Sequence, residues 1–251
     1  MVYYYSAQLS NFLDPEINLW TQSVEELVNI LSKEDTIILD CETTGLNPLV
    51  DKIVMLQIGT KTDQYVIDAR GFPVSKYFKS LFEDKNVLKI GHNIKFDYNM
   101  FKQHGIILNN VYDTMVAERC IFNGKYSQDE IKQLKRYSLA GVYMHYFNKY
   151  IPKTVRNEFT TWGSAPFTSE QIVYGAKDVL YPLEIKKVQD HWVNKYSLDK
   201  KVSMENKVLL SIGDIEYNGF YVDSKKWLEV HLSLIHISEP TRQEAISYAV
   251  F

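Results

Sequence analysis

Two acidic residues stand two positions apart in the segment ILDCETTGL, which covers residues 38–46. The residues just before them, 36–39, are β-branched or leucine, which is typical of a buried strand. Because side chains alternate across a strand, Asp40 and Glu42 should project from the same face, a few ångströms apart. Two like charges held at the edge of a core repel each other and lose hydration. The pair therefore requires a neutralising partner.

Two other pairs of polar residues are spaced four positions apart, which places side chains on one face of a helix. Asn93 and Asp97 stand in GHNIKFDYNMF, and Tyr174 and Asp178 stand in SEQIVYGAKDVLYPLEI. Together with the strand pair, these segments can bring four carboxylates to one point. An all-oxygen cluster of this kind binds hard divalent cations such as Mg²⁺ or Mn²⁺. Two such ions would clamp a phosphodiester, one activating a water and the other stabilising the leaving oxygen.

Each motif alone has an ordinary structural interpretation, as a strand end that meets solvent or as a common pair of helix residues. Their joint occurrence, in order, favours the catalytic interpretation. Two neighbouring polar residues are expected to be structural. His92 should make a structural hydrogen bond, and Asp113 should cap a helix or hydrogen-bond in the core rather than act as a fifth ligand.

The elements that position these motifs follow from periodicity and capping signals. Ser23 with Glu26 and Thr168 with Gln171 fit capping boxes at the starts of two helices. Strands should form a meander over 36–41, 52–60 and 64–69, with a further strand over 87–91. Helices are predicted from residue 24 to the first of these strands and over 74–83, 93–104 with Asn93 as cap, 112–122, about 137–147, 168–195 with a kink at Pro182, and 199–217. This order predicts an α/β fold with a mixed sheet covered by helices.

Composition limits the classes of protein that this chain can represent. It has 251 residues, of which 45% are apolar and 24% charged, the profile of a globular protein. The formal net charge of -3 excludes a global basic field, so contacts with nucleic acid must depend on local patches. Two cysteines form no disulfide framework or metal spacing, which suits a reducing compartment. No signal peptide and no apolar run of about 18 residues is found, so a cytoplasmic location away from any membrane is expected.

The three motifs, in their order and spacing, resemble the exonuclease motifs of the DEDD superfamily, the DnaQ-like or ribonuclease H-like 3′–5′ exonucleases. The similarity covers about residues 20–195 and extends to the segment YDTMVAERC at 112–120. The tyrosine subtype is indicated because Tyr174 lies four positions before Asp178, whereas the histidine subtype would have histidine where this chain has Val173. The resemblance implies an α/β, ribonuclease H-like fold whose mixed sheet is flanked by helices.

The resemblance also implies roles for individual residues. Asp40, Glu42 and Asp178 match the ligands of the metal on the nucleophile side. Asp40 also matches the ligand of the metal on the leaving-group side, with Asp97 helping through water. Tyr174 matches the residue that orients the attacking water together with Glu42. The implied cofactors are two divalent cations, Mg²⁺ or Mn²⁺.

Five residues near the motifs are candidates for contact with nucleic acid: Thr43, Leu46, Asn93, Lys95 and Phe96. Leu46 and Phe96 could wedge or stack against a terminal base, since stacking tolerates any sequence. The alternative is that both side chains simply pack in the core. Asn93 matches the asparagine of the second motif, where a supporting polar contact at the strand end is expected.

The C-terminal part of the chain contains two segments with different resemblances. Residues 202–228 resemble the segment that joins the proofreading exonuclease to the polymerase body in family A DNA polymerases. Residues 232–251 resemble the translation of a sequencing adapter. The expected organisation is therefore an exonuclease domain over 1–195, the start of a polymerase region over 196–231, and a non-native tail over 232–251.

The expected function is metal-dependent 3′–5′ exonuclease activity that removes nucleoside 5′-monophosphates from the 3′ ends of single-stranded DNA. The domain would be the proofreading part of a phage or bacterial DNA polymerase, with the polymerase domain of the same natural chain as its partner. One alternative is an exoribonuclease of the ribonuclease D type. Another is an inactive nucleic-acid-binding module, which is disfavoured because all four acidic residues are present.

Overall fold

A computed structural model describes residues 1–6, 14–133, 135–152 and 165–234. The chain divides into two compact units, Met1–Tyr217 and Asn218–Phe251. In the second unit, residues 224–234 are helical. The expected non-native tail begins at residue 232, and from residue 235 onward it lies outside the described residues. In the described part of the chain, no helix is long and apolar enough to cross a membrane.

The first unit is built on a seven-stranded mixed sheet in the order β2-β1-β5-β4-β3-β6-β7. Strands β3, β4 and β5 pair antiparallel as the predicted meander, and the other pairs are parallel. The strands are β1 Val2–Tyr5, β2 Ile17–Leu19, β3 Thr36–Thr43, β4 Ile53–Gly59, β5 Gln64–Asp68, β6 Leu88–Gly91 and β7 Val111–Asp113.

Helices occupy most of the remaining described residues of this unit. Both predicted capping boxes are present, with Ser23 at the start of α1 and Thr168 at the start of α7. Helix α7 runs through Pro182, and the kink expected there stays a prediction. The helices are α1 Val24–Leu31, α2 Val74–Glu83, α3 Ile94–Gln103, α4 Thr114–Ile121, α5 Gln128–Gln133, α6 Leu139–Phe147, α7 Ser169–Lys195 and α8 Asp199–Asn218.

The two faces of the sheet pack against different helices. Leu39 and Cys41 of β3 join a core that includes apolar residues of α1, α2 and α3. Ile38 lies on the opposite face, where it packs with Val179 and Leu183 of α7. Since side chains alternate along a strand, Asp40 and Glu42 are on the α7 face with Ile38. The predicted α/β sheet covered by helices is therefore confirmed.

The segment 112–122, predicted as one helix, begins instead with a strand. Val111–Asp113 forms β7, which pairs in parallel with β6, and α4 starts at Thr114. The prediction of helix at Tyr112 was wrong because pairing with a neighbouring strand outweighed the local helical pattern.

Helix α8 packs on α3 within the first unit. The hydroxyl of Tyr98 donates to Asp214 at 2.6 Å, Lys102 pairs with the same carboxylate, and Leu209 joins the main core. The compact unit that contains these contacts ends at Tyr217, and the exonuclease domain expected over 1–195 stays a prediction. The assignment of 196–231 to a polymerase region stays a prediction.

Candidate active site

Three carboxylates meet at one point between β3 and α7. Oxygen atoms of Asp40, Glu42 and Asp178 all lie within 4.8 Å of one another. Asp178 is buried, with 8% of its surface exposed, and the two strand residues are half-buried. The alternation along β3 and the position of Asp178 on α7 thus bring together residues that are far apart in sequence.

The chemistry of this donor set fits a divalent cation. Three carboxylates at this separation cannot all remain ionised at low cost without positive charge nearby. Carboxylate oxygens are hard ligands, which Mg²⁺ and Mn²⁺ prefer over nitrogen or sulfur ligands. Asp40, Glu42 and Asp178 are therefore the residues of the described chain that can hold such an ion.

Local irregularities in the strand and the helix shape this cluster. The pairing of β3 with β4 shifts register between Glu42 and Thr43, a bulge-type irregularity that redirects side chains at the end of a strand. On the other side, α7 approaches β4 closely at Gly175. A Cβ atom at this position would lie 2.8 Å from Sδ of Met55, so a side chain there would require either the Met55 side chain or the helix to shift. Because Gly175 has no side chain, this turn of α7, with Tyr174 and Asp178, lies close to the sheet without displacing Met55 or Gln57.

Asp97, the fourth predicted ligand, holds the end of β3 from the side of α3. It is 3% exposed, and its Oδ1 accepts a hydrogen bond of 2.9 Å from the backbone N–H of Cys41. Burial and the negative charge of nearby Asp40 raise the pKa of Asp97 well above its usual range. Asp97 is outside the group of three carboxylates, and its expected role through water stays a prediction.

Tyr174 lies on α7, one turn before Asp178. Its half-buried ring packs against the apolar cluster that contains Met55, Ile172 and Ala176. This packing limits the movement of the ring while α7 holds it on the same helix face as Asp178. The predicted role of its hydroxyl in orienting water is consistent with this position and stays a prediction.

The residues expected to contact nucleic acid differ in exposure and in partners. Leu46 is 81% exposed in the loop after β3, whereas Phe96 is half-buried and packs against the main core. The Thr43 hydroxyl donates to the carbonyl of Gly45 at 2.6 Å. Lys95 pairs with Glu216 of α8. Contact of these residues with nucleic acid stays a prediction.

Asn93 occupies the N-cap position of α3, but its side chain makes no cap hydrogen bond. The predicted side-chain cap was wrong because Asn93 has a left-handed backbone, with φ of 62°, and its side chain is exposed. The cap comes from a distant residue instead. The carboxylate of Asp113 accepts from the backbone N–H groups of Asn93 at 3.0 Å and Ile94 at 2.9 Å.

Asp113 also caps α4, where it accepts from the N–H groups of Met115 and Val116. It is fully buried, so burial raises the pKa of Asp113 while these N–H groups oppose the rise. His92 is a second structural residue, with ring nitrogens 2.9 Å from Oγ1 of Thr114 and 3.1 Å from the carbonyl of Tyr137. Burial lowers the pKa of His92 to about 4. Both structural expectations are confirmed.

A polar residue that sequence reasoning missed is Gln57 of β4. It pairs across the sheet with Asp40 and is completely buried. In sequence it is a single glutamine in the apolar run KIVMLQIGT, and a lone polar residue in a strand buried on both faces is the signal that could have identified it.

Comparison with known proteins agrees with this geometry. The 3′–5′ exonuclease family matches residues 18–188, more than half of the chain. DNA polymerase I of Aquifex aeolicus (strain VF5) is 24% identical over 230 residues, which cover 84% of this chain and 36% of that protein. The chain thus spans well under half of the length of this relative.

Solved structures show the same fold. NrnC of Brucella melitensis bound to pGG has a TM-score of 0.64 at 22% identity, covering 75% of this chain and 87% of that one. NrnC is also known with bound Mg²⁺. Escherichia coli RNase D, described as an exoribonuclease involved in structured RNA processing, has a TM-score of 0.63 at 18% identity, covering 76% of this chain and 48% of that one.

These likenesses confirm the ribonuclease H-like, DnaQ-type fold. The acidic cluster lies where the three sequence motifs converge, and the chain is homologous, at low identity, to the exonuclease regions of DNA polymerase I. Since the family match covers more than half of the chain, the chain belongs to the 3′–5′ exonuclease family and is a hydrolytic exonuclease.

Proposed function

We propose that this domain removes nucleoside 5′-monophosphates from the 3′ ends of single-stranded DNA and proofreads for a polymerase encoded in the same natural chain. The observation that carries the proposal is the group of three carboxylates, Asp40, Glu42 and Asp178, within 4.8 Å of one another. A phosphodiester is itself an anion, so three carboxylates suit its hydrolysis only when cations are bound among them.

The proposed reaction assigns a task to each residue of the site. Asp40, Glu42 and Asp178 would hold two divalent cations, with Asp97 helping through water at the cation on the leaving-group side. When bound, the cations supply charge that favours ionisation of water and neutralises the leaving oxygen. The Tyr174 hydroxyl and the Glu42 carboxylate would orient the attacking water, and Phe96 and Leu46 would contact the terminal base.

DNA is the proposed substrate because the sequence match to a DNA polymerase I extends over 84% of this chain. The alternative substrate is RNA, favoured by the likeness of the fold to RNase D. Both polymers have the same phosphodiester chemistry, so the acidic cluster alone does not discriminate between them. The difference must come from the surface that contacts the sugar, since only RNA has a 2′-hydroxyl.

The proposal is tested by digesting matched DNA and RNA single strands, each labelled at the 5′ end, with Mg²⁺ or Mn²⁺. We expect a ladder of shortened labelled DNA and release of nucleoside 5′-monophosphates, with RNA degraded more slowly. Asp40→Asn serves as the control for a contaminating nuclease. Faster degradation of RNA would favour the exoribonuclease, and no degradation of either strand would contradict the catalytic proposal.

We also propose a cytoplasmic location, in a bacterium or in a phage-infected host. Cys41 and Cys120 are both unpaired and buried, which suits a compartment that keeps thiols reduced. Alkylation of the denatured protein immediately after lysis should modify both thiols. Recovery of the protein as a disulfide-linked species would contradict this location.

A further inference from the structure

The side chain of Gln57 is an anomaly in the sheet. It is completely buried in β4, and neither Nε2 nor Oε1 has a hydrogen-bond partner among the described residues. A glutamine amide carries two N–H donors and an oxygen that accepts, and burying them unpaired costs free energy. An amide retained at such a position requires a reason.

The amide lies beside the acidic cluster. Gln57 is the cross-strand partner of Asp40, so the two side chains project from the same face of the sheet. The helix above them is α7, where a Cβ atom at Gly175 would lie 3.0 Å from Nε2 of Gln57. Gly175 belongs to the turn that carries Tyr174 and leads to Asp178. The unpartnered amide on β4 thus adjoins both elements that supply the carboxylates, with β3 beside it and α7 packed against it.

Gln189 is a buried glutamine away from the acidic cluster, and its hydrogen bonds provide a comparison. It is equally buried, yet its Nε2 donates to the carbonyl of Thr114 at 2.8 Å and to Glu118 at 2.9 Å. Its Oε1 accepts from the hydroxyl of Tyr112 at 3.3 Å. The same side chain is therefore fully paired away from the site and unpaired beside it.

We propose that Gln57 is a positioning residue of the exonuclease site, whose Nε2–H donates to the carboxylate of Asp40 when divalent cations are bound. A carboxylate that directs one oxygen to a cation leaves the other oxygen for a donor, and such supporting bonds orient metal ligands. An amide suits this task because it is neutral. A lysine or arginine would compete with the cation for the carboxylate, and a glutamate would repel it. The inference rests on the proposed function, since it requires cations at Asp40.

The test replaces Gln57 with methionine, which has a similar length and no hydrogen-bonding amide, and uses Gln189→Met as the matched control. Mn²⁺ affinity is measured by calorimetry, stability by thermal unfolding without metal, and kcat and KM on single-stranded DNA. For Gln57→Met we expect Mn²⁺ to bind about tenfold more weakly, kcat to fall while KM changes little, and the metal-free melting temperature to hold or rise. For Gln189→Met we expect a lower melting temperature and unchanged Mn²⁺ affinity.

A second measurement uses the wild-type protein, so a loss of stability in a variant cannot affect its result. The Gln57 side-chain amide signal in the nitrogen–proton NMR spectrum of the wild-type protein should shift as Mg²⁺ is added, and the Gln189 signal should not. Unchanged Mn²⁺ affinity in Gln57→Met, or a Gln57 signal insensitive to Mg²⁺, would overturn the inference. A wild-type protein that neither binds Mn²⁺ nor degrades DNA would instead overturn the proposed function.

Discussion

Asp113 and the acidic cluster of Asp40, Glu42 and Asp178 have opposite surroundings. Asp113 accepts hydrogen bonds from the backbone N–H groups of four residues at the starts of α3 and α4. Asp40, Glu42 and Asp178 face one another within 4.8 Å. Since Asp113 and Asp178 are both buried, the partners of a carboxylate, rather than its burial alone, separate a structural acid from a chemical one.

The two regions should therefore respond differently to substitution. Removing a carboxylate from the acidic cluster removes repulsion together with a metal ligand, so activity should fall while the metal-free fold holds. Removing the carboxylate of Asp113 leaves backbone N–H groups without their acceptor, so the fold should weaken. Stability and activity, measured in parallel, distinguish the two kinds of acid.

The largest effect is expected for Asp40→Ala. Loss of this ligand should lower the rate of hydrolysis at least about a thousandfold, or about 4 kcal/mol of transition-state stabilisation. Without metal, the free energy of unfolding should stay the same or increase because a like charge is removed. Single-turnover digestion and urea unfolding measure the two quantities. Asp129→Ala, an exposed acid on α5, is the control; wild-type activity in Asp40→Ala would contradict the metal site.

A smaller effect, on the fold, is expected for Asp113→Ala. The change removes the caps of α3 and α4, and we expect the free energy of unfolding to fall by about 3 kcal/mol. The rate per folded molecule should remain close to that of the wild type. Urea unfolding with parallel rate assays measures both, and Asp113→Asn, which keeps one acceptor oxygen, should lose less. A stable but inactive Asp113→Ala protein would contradict the structural role and show that Asp113 takes part in the reaction.

Tyr174→Phe tests whether the Tyr174 hydroxyl has a chemical role or a structural one. The ring stays and the hydroxyl is lost, so the rate should fall roughly ten- to a thousandfold with little change in substrate binding. Rates and KM on single-stranded DNA measure this, with thermal unfolding alongside. An unchanged rate would make Tyr174 a packing residue, and a large loss of stability would make its hydroxyl structural.

The smallest effect is expected for deletion of residues 232–251. This segment resembles adapter sequence, which was never selected to complement the surface of the protein, and Pro240 would interrupt a helix there. The melting temperature and the exonuclease rate should both stay at their wild-type values. A large loss of stability, or source DNA that encodes this tail followed by a stop codon, would show that the tail is native.

Some of the expectations that held rest on contacts between residues close in sequence. The capping boxes at Ser23 and Thr168 need only residues three positions apart, and the common face of Asp40 and Glu42 follows from strand alternation. The helix expected at Tyr112 failed because the competing strand pairing with β6 involves residues about twenty positions away. Asn93 takes the expected N-cap position, but the N–H groups at the start of α3 donate to Asp113, a distant residue, instead of to the Asn93 side chain.

The spacing of the acidic residues and most of the elements that carry them could be predicted from the sequence, because they obey rules that act over a few residues. The contacts that each acid makes are set by tertiary packing. It placed Asp178 beside β3, directed Asp97 to the N–H of Cys41, and enclosed Gln57 beneath Gly175 without a partner. These outcomes depend on how the sheet, its bulge and α7 pack together, and such packing is settled by the whole core rather than by any local segment.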